Sequence, residues 1–382
     1  MRLQVEEALE LLLDTLRVYS PSTRESELSL LLQGKMRQLG FREIRSDRAG
    51  NAIGSVGGRR RDGIPHLLLC GHMDTIPGMI EVREVDGRVY GRGAVDAKSA
   101  MCAMLSAAAN LDSEDIRITV ACVTREEGDS LGVNTLIADG GDYDFAVFGE
   151  PGGAHKVAVG YRGRVEGRLK VRTSGGHAAS PWAHPSAVDE AMGVLARFKA
   201  YEKSHGSGGD HYRSVNISLT MIQGGYYSNV IPPTCEATLD IRIPPGLSSK
   251  TLESDLTQIL EESKQTSPDA RFELNFDEAT EPYEVPTDSL VVRAFQRSII
   301  KTLSSRPVLT HKTGTGDMNT MAQRMGIPCV TYGPGDSKLE HTDNEFVEIA
   351  DYSNSIAVLR GAFQEAAALY KGRSKKATRH SD

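Results

Sequence analysis

The apolar positions of the chain follow two rhythms. Residues 5–19 repeat leucines at helical spacing, whereas Leu67-Leu68-Leu69-Cys70 is an unbroken apolar run. Such a run marks a strand buried on both faces. Further runs of this kind stand at 116–123, 145–148 and 327–332. Between them, 97–110 and 131–138 read as helices, and 351–370 predicts a closing helix. Strands that alternate with helices build a mostly parallel sheet. Short strand-like runs lie at 41–47 and 51–56. Ser22-Thr23-Arg24-Glu25 has the spacing of a capping box and predicts the start of a second helix, closed by Gly40.

The middle of the chain is patterned differently. Residues 156–171, 215–222, 235–243 and 271–276 read as strands, and 185–203 and 248–264 as helices. The order β-α-β-β-α-β is that of a ferredoxin-like unit. The predicted class is therefore α/β. A mostly parallel mixed sheet flanked by helices occupies 1–160 and 280–382, and an α+β domain is inserted at 161–279. The glycine-rich stretch 204–209 reads as a loop within that insert, and a polar basic tail, expected to be disordered, begins at Lys371.

Composition narrows the setting. A chain of 382 residues suggests two domains. A net charge of -7 gives no general affinity for nucleic acid or anionic lipid. No apolar run approaches the roughly 20 residues of a membrane span. The first ten residues carry three acids, and no small-residue cleavage site follows, so the expectation is a cytoplasmic protein. The five cysteines are dispersed with no Cys-x-x-Cys pair, which fits small buried hydrophobes in a reducing compartment.

Acids and histidines gather where the predicted strands end. His72 and Asp74 lie on the same side at the end of the first buried strand. Glu126-Glu127 follow the second, Glu150 the third, and His341 the last, while Asp96 precedes the 97–110 helix. Open α/β sheets bind ligands outside the carboxyl ends of their strands. Each feature alone is weak, since a Glu-Glu pair is ordinarily a solvated charge pair. Together, two histidines and three carboxylates suit two zinc ions that share one carboxylate.

The motifs Gly71-His72-Met73-Asp74-Thr75-Ile76-Pro77-Gly78, Tyr90-Gly91-Arg92-Gly93-Ala94-Val95-Asp96-Ala97-Lys98, Glu126-Glu127-Gly128, Gly149-Glu150-Pro151 and His341-Thr342 carry a resemblance over nearly the whole chain. The sequence resembles the dinuclear zinc aminoacylase, desuccinylase and carboxypeptidase G superfamily. The resemblance implies two Zn(2+) per subunit, replaceable by Co(2+). One ion falls to His72 and Glu150, the other to Glu127 and His341, and Asp96 bridges them. It implies Glu126 as the proton acceptor that later serves the leaving amine, and Asp74 as hydrogen-bond partner of the second nitrogen of His72. It also implies a cis peptide between Asp96 and Ala97. Relatives of dipeptidase type tend to carry aspartate where Glu150 stands, so glutamate points to the deacylase and carboxypeptidase side.

In the insert, His177 within Ser174-Gly175-Gly176-His177 matches a histidine that relatives of this superfamily offer across a homodimer interface to the reacting carbonyl. Asn229 and Arg242 match substrate-binding positions. A structural ion pair with a nearby acid is the alternative for Arg242. Segments 313–319 and 332–337 resemble the LysK-type branch, whose members release lysine or ornithine from the C-terminal glutamate of the acidic amino-group carrier protein LysW in lysine and arginine biosynthesis. That likeness implies Gly314 and Asp317 at the substrate, with Asp317 receiving the ammonium of the leaving amino acid. The implied reaction is hydrolysis of a linear amide. A small-molecule deacylase, such as acetylornithine deacetylase or succinyl-diaminopimelate desuccinylase, is the alternative. Candidate basic residues for an acidic carrier are Arg59-Arg60-Arg61 and the row Arg162, Arg164, Arg168 and Arg172.

Overall fold

In a computed structural model of the protein, which describes residues 5–59 and 63–378, the unbroken apolar runs become neighbouring strands of one sheet. His66–His72 lies between Arg117–Val123 and Phe145–Gly149, parallel to both, and Cys329–Thr331 continues the parallel set beside Phe145–Gly149. The flanks are antiparallel. Ala52–Gly57 pairs with Arg117–Val123 and in turn with Arg42–Ser46. The result is a mixed α/β sheet flanked by helices. Every residue of His66–His72 is buried, as a strand covered on both faces requires. The helix Lys98–Ala108, also buried throughout, lies against it. Gly71 of the strand permits the close approach, since a Cβ added there would stand 3.0 Å from the Met101 Cβ of the helix.

By its internal contacts the chain divides into two units. One comprises Met1–Val159, Val285–Thr310 and Gly316–Asp382, and the other Gly160–Glu284 with His311–Thr315. The second unit carries four antiparallel strands in the order Asn216–Gly224, Thr234–Ile243, Gly163–Arg172, Arg271–Phe276. With the helices Ala187–Ser204 and Ser249–Thr266 this is the ferredoxin-like arrangement. Strict alternation in Gly163–Arg172 sends Val165, Leu169 and Val171 into a core with Phe198, Leu252 and Leu256. Ser186 and Ser248 cap the two helices by accepting the Asp189 and Thr251 N–H groups.

Several sequence expectations are corrected. Ser22-x-x-Glu25 forms no capping box. The helix Ser26–Gln38 begins after Glu25 without a side-chain cap, because the Ser22 hydroxyl is bound to Asp74 and the Glu25 carboxylate accepts the Thr23 and Arg125 N–H groups. Residues 156–171 are two strands, Lys156–Tyr161 and Gly163–Arg172, interrupted at Arg162. The closing helix runs to Thr378 instead of giving way to a tail at Lys371. A helix at Leu290–Leu303, capped by Ser289, was not expected at all, although its apolar residues recur at helical spacing. All five cysteines are buried. Among the described residues, no helix is long and apolar enough to cross a membrane.

Candidate functional site

The first unit brings His72, Asp74, Asp96, Glu126, Glu127, Glu150 and His341 together. His72 is the last residue of its strand, Glu126 and Glu127 follow Arg117–Val123 in a turn, and Glu150 directly follows Phe145–Gly149. All come from the carboxyl ends of parallel strands, where chain after chain leaves the sheet with its polar groups exposed to one crevice. Asp96 arrives on the run of turns before Lys98–Ala108, and the peptide between Asp96 and Ala97 is cis. His341 and Arg125 both hold φ near the left-handed region, at 60° and 61°. Non-glycine residues rarely sit there, and such positions cluster at functional sites.

Asp96 stands at the centre. One of its oxygens, Oδ1, is 3.2 Å from His72 Nε2, and the other, Oδ2, is 3.2 Å from His341 Nε2. Glu150 approaches His72 Nε2 to 3.8 Å, and Glu127 approaches His341 Nε2 to 2.8 Å. The donor atoms thus form two groups, His72–Asp96–Glu150 and Asp96–Glu127–His341, each within 4.8 Å. The chemistry of the set fits divalent cations. His72 Nδ1 lies 2.9 Å from the Asp74 carbonyl oxygen and can only donate to it, so in the neutral ring the Nε2 lone pair faces the carboxylates. Carboxylates and a lone pair converging on one point require positive charge between them. Nitrogen and oxygen donors in these numbers suit zinc.

Asp74 does more than its sequence motif implies. Its carboxylate is 3.6 Å from His72 Nδ1, and the bond to the ring is made by its backbone carbonyl. The carboxylate oxygens are engaged elsewhere: Oδ1 accepts the Glu126 N–H at 3.1 Å, and Oδ2 accepts the Glu127 N–H at 3.1 Å and the Ser22 hydroxyl at 2.7 Å. Asp74 therefore fixes the backbone of both glutamates. Burial raises its carboxyl, but His72 and Ser22 outweigh this and hold it below the usual range. Ser22 was invisible as a site residue because its sequence context mimics a helix start.

Glu126 experiences the opposite balance. Burial first, and then the neighbouring Glu150, push its carboxyl well above the ordinary carboxylate range. Asp317 is also buried, at 5% exposure, and burial pushes its carboxyl up to about 6. It lines, with His72, Glu126, Glu150 and Phe148, a cavity of only about 10 Å³. That is room for a water at most. Asp317 thus lines the same small cavity as the ligand candidates His72 and Glu150.

The second unit holds the remaining candidates. His177 pairs with Val230 in a two-stranded ribbon, and Asn229 accepts the Ala178 N–H through its backbone carbonyl, so the two sit side by side and exposed. His177 Nδ1 accepts the Ala179 N–H at 3.1 Å, which in the neutral ring leaves Nε2–H as a donor. Gly176 admits no side chain because an added Cβ would lie 2.3 Å from the His184 ring. Arg242 is engaged by an acid, the alternative weighed for it. Its Nε donates to Asp240 Oδ1 at 2.7 Å, and its Nη1 donates to Thr315 Oγ1 at 3.2 Å, next to the exposed Gly314.

The expected basic row is not an open patch. Arg162 is buried and donates to the Thr313 and His211 carbonyls. Arg164 pairs with Asp240, Arg168 with Glu166 and Asp277, and Arg172 with Glu273. Directly opposite, Arg164 meets Arg242 and Arg172 meets Arg271, so these acids reach the arginines from positions two residues along, where side chains of one face still touch, and offset their charge on the solvated sheet face. Arg59 is exposed, while Arg60 and Arg61 lie outside the described residues.

Comparison with known proteins agrees with this geometry. A provisionally named LysW-lysine/LysW-ornithine hydrolase of Pyrobaculum aerophilum is 34% identical over 93% of this chain and 96% of its own. The LysW-lysine hydrolase of Deinococcus radiodurans is 30% identical, again over 93% of this chain and 96% of its own. Among solved structures, a tripeptidase from Staphylococcus aureus superposes with a TM-score of 0.81 at 19% identity, covering 96% of this chain and 100% of its own, a likeness of fold. The family described as Peptidase family M20/M25/M40 matches residues 68–365. That span contains every residue gathered around Asp96, and the chain belongs to this family of hydrolases.

Proposed function

We propose that the protein is a dinuclear zinc amidohydrolase that releases lysine or ornithine from the C-terminal glutamate of the carrier LysW, within lysine and arginine biosynthesis in the cytoplasm. The observation that carries the metal reading is Asp96, whose two oxygens each face a different histidine at 3.2 Å. His72, Asp96 and Glu150 would hold one ion, and Asp96, Glu127 and His341 the other, with cobalt able to replace zinc. Such ions supply Lewis acidity, polarising an amide carbonyl and making water acidic enough to react near neutral pH. Glu126 accepts the proton of the attacking water and delivers it to the amine nitrogen as the C–N bond breaks. A carboxyl raised by burial and by Glu150 suits a group that must both take and give a proton near neutrality. Asp74 keeps Glu126 and Glu127 on their respective tasks through their N–H groups.

The rest of the proposal concerns the second unit. His177, supplied by a second copy, donates Nε2–H to the carbonyl oxygen on which charge develops. Asn229 and the Gly314 backbone contact the substrate. Arg242 grips the carboxylate of the leaving amino acid in competition with Asp240. Dimerisation is supported by the strand Asn216–Gly224, which lies at the edge of its sheet with Leu219, Met221 and Ile222 exposed. The names of the relatives support the carrier as substrate. A specific observation favours the small-molecule deacylase as second reading: the arginines best placed to meet an acidic carrier are already paired.

Turnover of LysW-linked lysine beside that of N-acetylornithine, after chelation and after return of zinc or cobalt, tests both readings. The carrier reading expects activity only with metal, a strong preference for the carrier-linked substrate, and a fall with added salt confined to that substrate. Equal efficiency on both substrates with the same salt response would sink it in favour of the deacylase.

A further inference from the structure

Asp96 reaches the centre on a segment without regular structure. From Gly91 to Ala97 the chain is a run of turns, with φ of 158° at Gly91 and 89° at Gly93. Such a segment has no helix or strand ladder to hold it, and its N–H groups need acceptors. The Ala94 N–H turns back to the Gly91 carbonyl, and three of the others are taken by one side chain far away in sequence. Glu345 is buried, with 1% exposure. Its Oε1 accepts the N–H groups of Gly93, Val95 and Asp96 at 3.0, 2.9 and 2.9 Å. Its Oε2 accepts Arg92 Nη1 at 3.0 Å. The same Arg92 nitrogen donates to the Thr342 carbonyl at 2.9 Å, directly after His341.

A buried carboxylate with a guanidinium and three N–H donors is fully satisfied, and therefore rigid. Both donor-bearing segments are tied to it. Asp96 itself donates one of the three N–H bonds, and His341 lies four residues before Glu345 on a stretch clamped through Arg92. We propose that Glu345 is a positioning residue of the metal centre, setting the direction of Asp96 and His341 so that the two oxygens of Asp96 face two separate cations. This inference rests on the metal reading of the site. It assigns Glu345 no contact with substrate or ion.

Zinc titration by calorimetry tests it, on wild-type protein and on Glu345→Gln. Glutamine keeps one oxygen for the N–H groups but sets an amide where a charged oxygen met Arg92. The ion held by Asp96, Glu127 and His341 is expected to bind about tenfold to a hundredfold more weakly, the usual effect of removing a group that orients metal ligands. Excess zinc should restore kcat with the substrate KM unchanged. The thermal midpoint of the chelated protein is the control, because a residue that only stabilises the fold would lower that midpoint and leave the affinity alone. A folded Glu345→Gln with wild-type affinity for both ions overturns the inference. If that variant does not fold, Arg92→Lys, which removes the fork and keeps the charge, should weaken the same ion, and wild-type affinity there overturns it equally. Wild-type protein that takes up no zinc defeats the metal reading itself, a failure visible in the unmutated arm alone.

Discussion

The carboxylates of the first unit divide by what they touch. Asp74 and Glu345 spend their oxygens on backbone N–H groups and on one side chain each, Ser22 and Arg92, whereas Asp96, Glu127 and Glu150 turn theirs toward histidine nitrogens. Glu126 belongs to neither set. Only its backbone is pinned, and burial with Glu150 makes its side chain reluctant to ionise. Glu126→Gln should therefore leave zinc stoichiometry unchanged while lowering kcat about 10²- to 10⁴-fold, the span for loss of a general acid–base group. Metal analysis beside steady-state rates checks this. Wild-type turnover, or loss of an ion, would remove Glu126 from the role of proton carrier.

At the scale of elements, the parallel strands are the delivery device. Each ends at the same edge of the sheet and releases its next residues there, so groups distant in sequence meet without a special fold. The second unit has a different device, a bare sheet edge. The Asn216–Gly224 strand pairs on one side only, and Met221 is 68% exposed. A long edge strand with apolar side chains is an invitation to pair with another chain. Met221→Glu places a charge in that face while leaving the inner residue Ile217 in its core. The expected outcome is a shift from dimer to monomer by light scattering, with the circular dichroism spectrum retained. A wild-type dimer in this variant would move the interface elsewhere.

For the whole molecule the proposal makes activity a property of two copies. Glu126 and His177 would serve one reaction from different chains. Neither His177→Ala nor Glu126→Gln should then turn over substrate alone. Mixed in equal amounts and allowed to exchange, they should regain about a quarter of wild-type activity, since half of the dimers are mixed and each carries one intact site. No recovery after proven exchange would place both residues in the service of the same chain. The net charge of -7 adds a constraint at this scale. Attraction of an acidic partner must come from local charge, and the pairing of Arg164, Arg168 and Arg172 leaves less of it than a count of arginines suggests.

The sequence alone determined the longer strands, most helices and the metal-ligand candidates, but not short strands such as Arg83–Val85, Arg88–Tyr90 and Phe346–Glu348. Buried strands need unbroken apolar runs, helices need apolar periodicity, and ligand groups had to sit at strand ends. Those are local requirements, written within a few residues of each site. What it misread was set by partners far along the chain. Ser22 looked like a helix cap because its spacing is that of a cap, yet its hydroxyl is taken by Asp74. Glu345 carried no signal at all, because an acid in a polar loop is ordinary until three N–H groups some 250 residues upstream converge on it. Only the tertiary structure could decide these, since a hydrogen bond depends on which atoms meet in space, and sequence patterns report only which neighbours share a face.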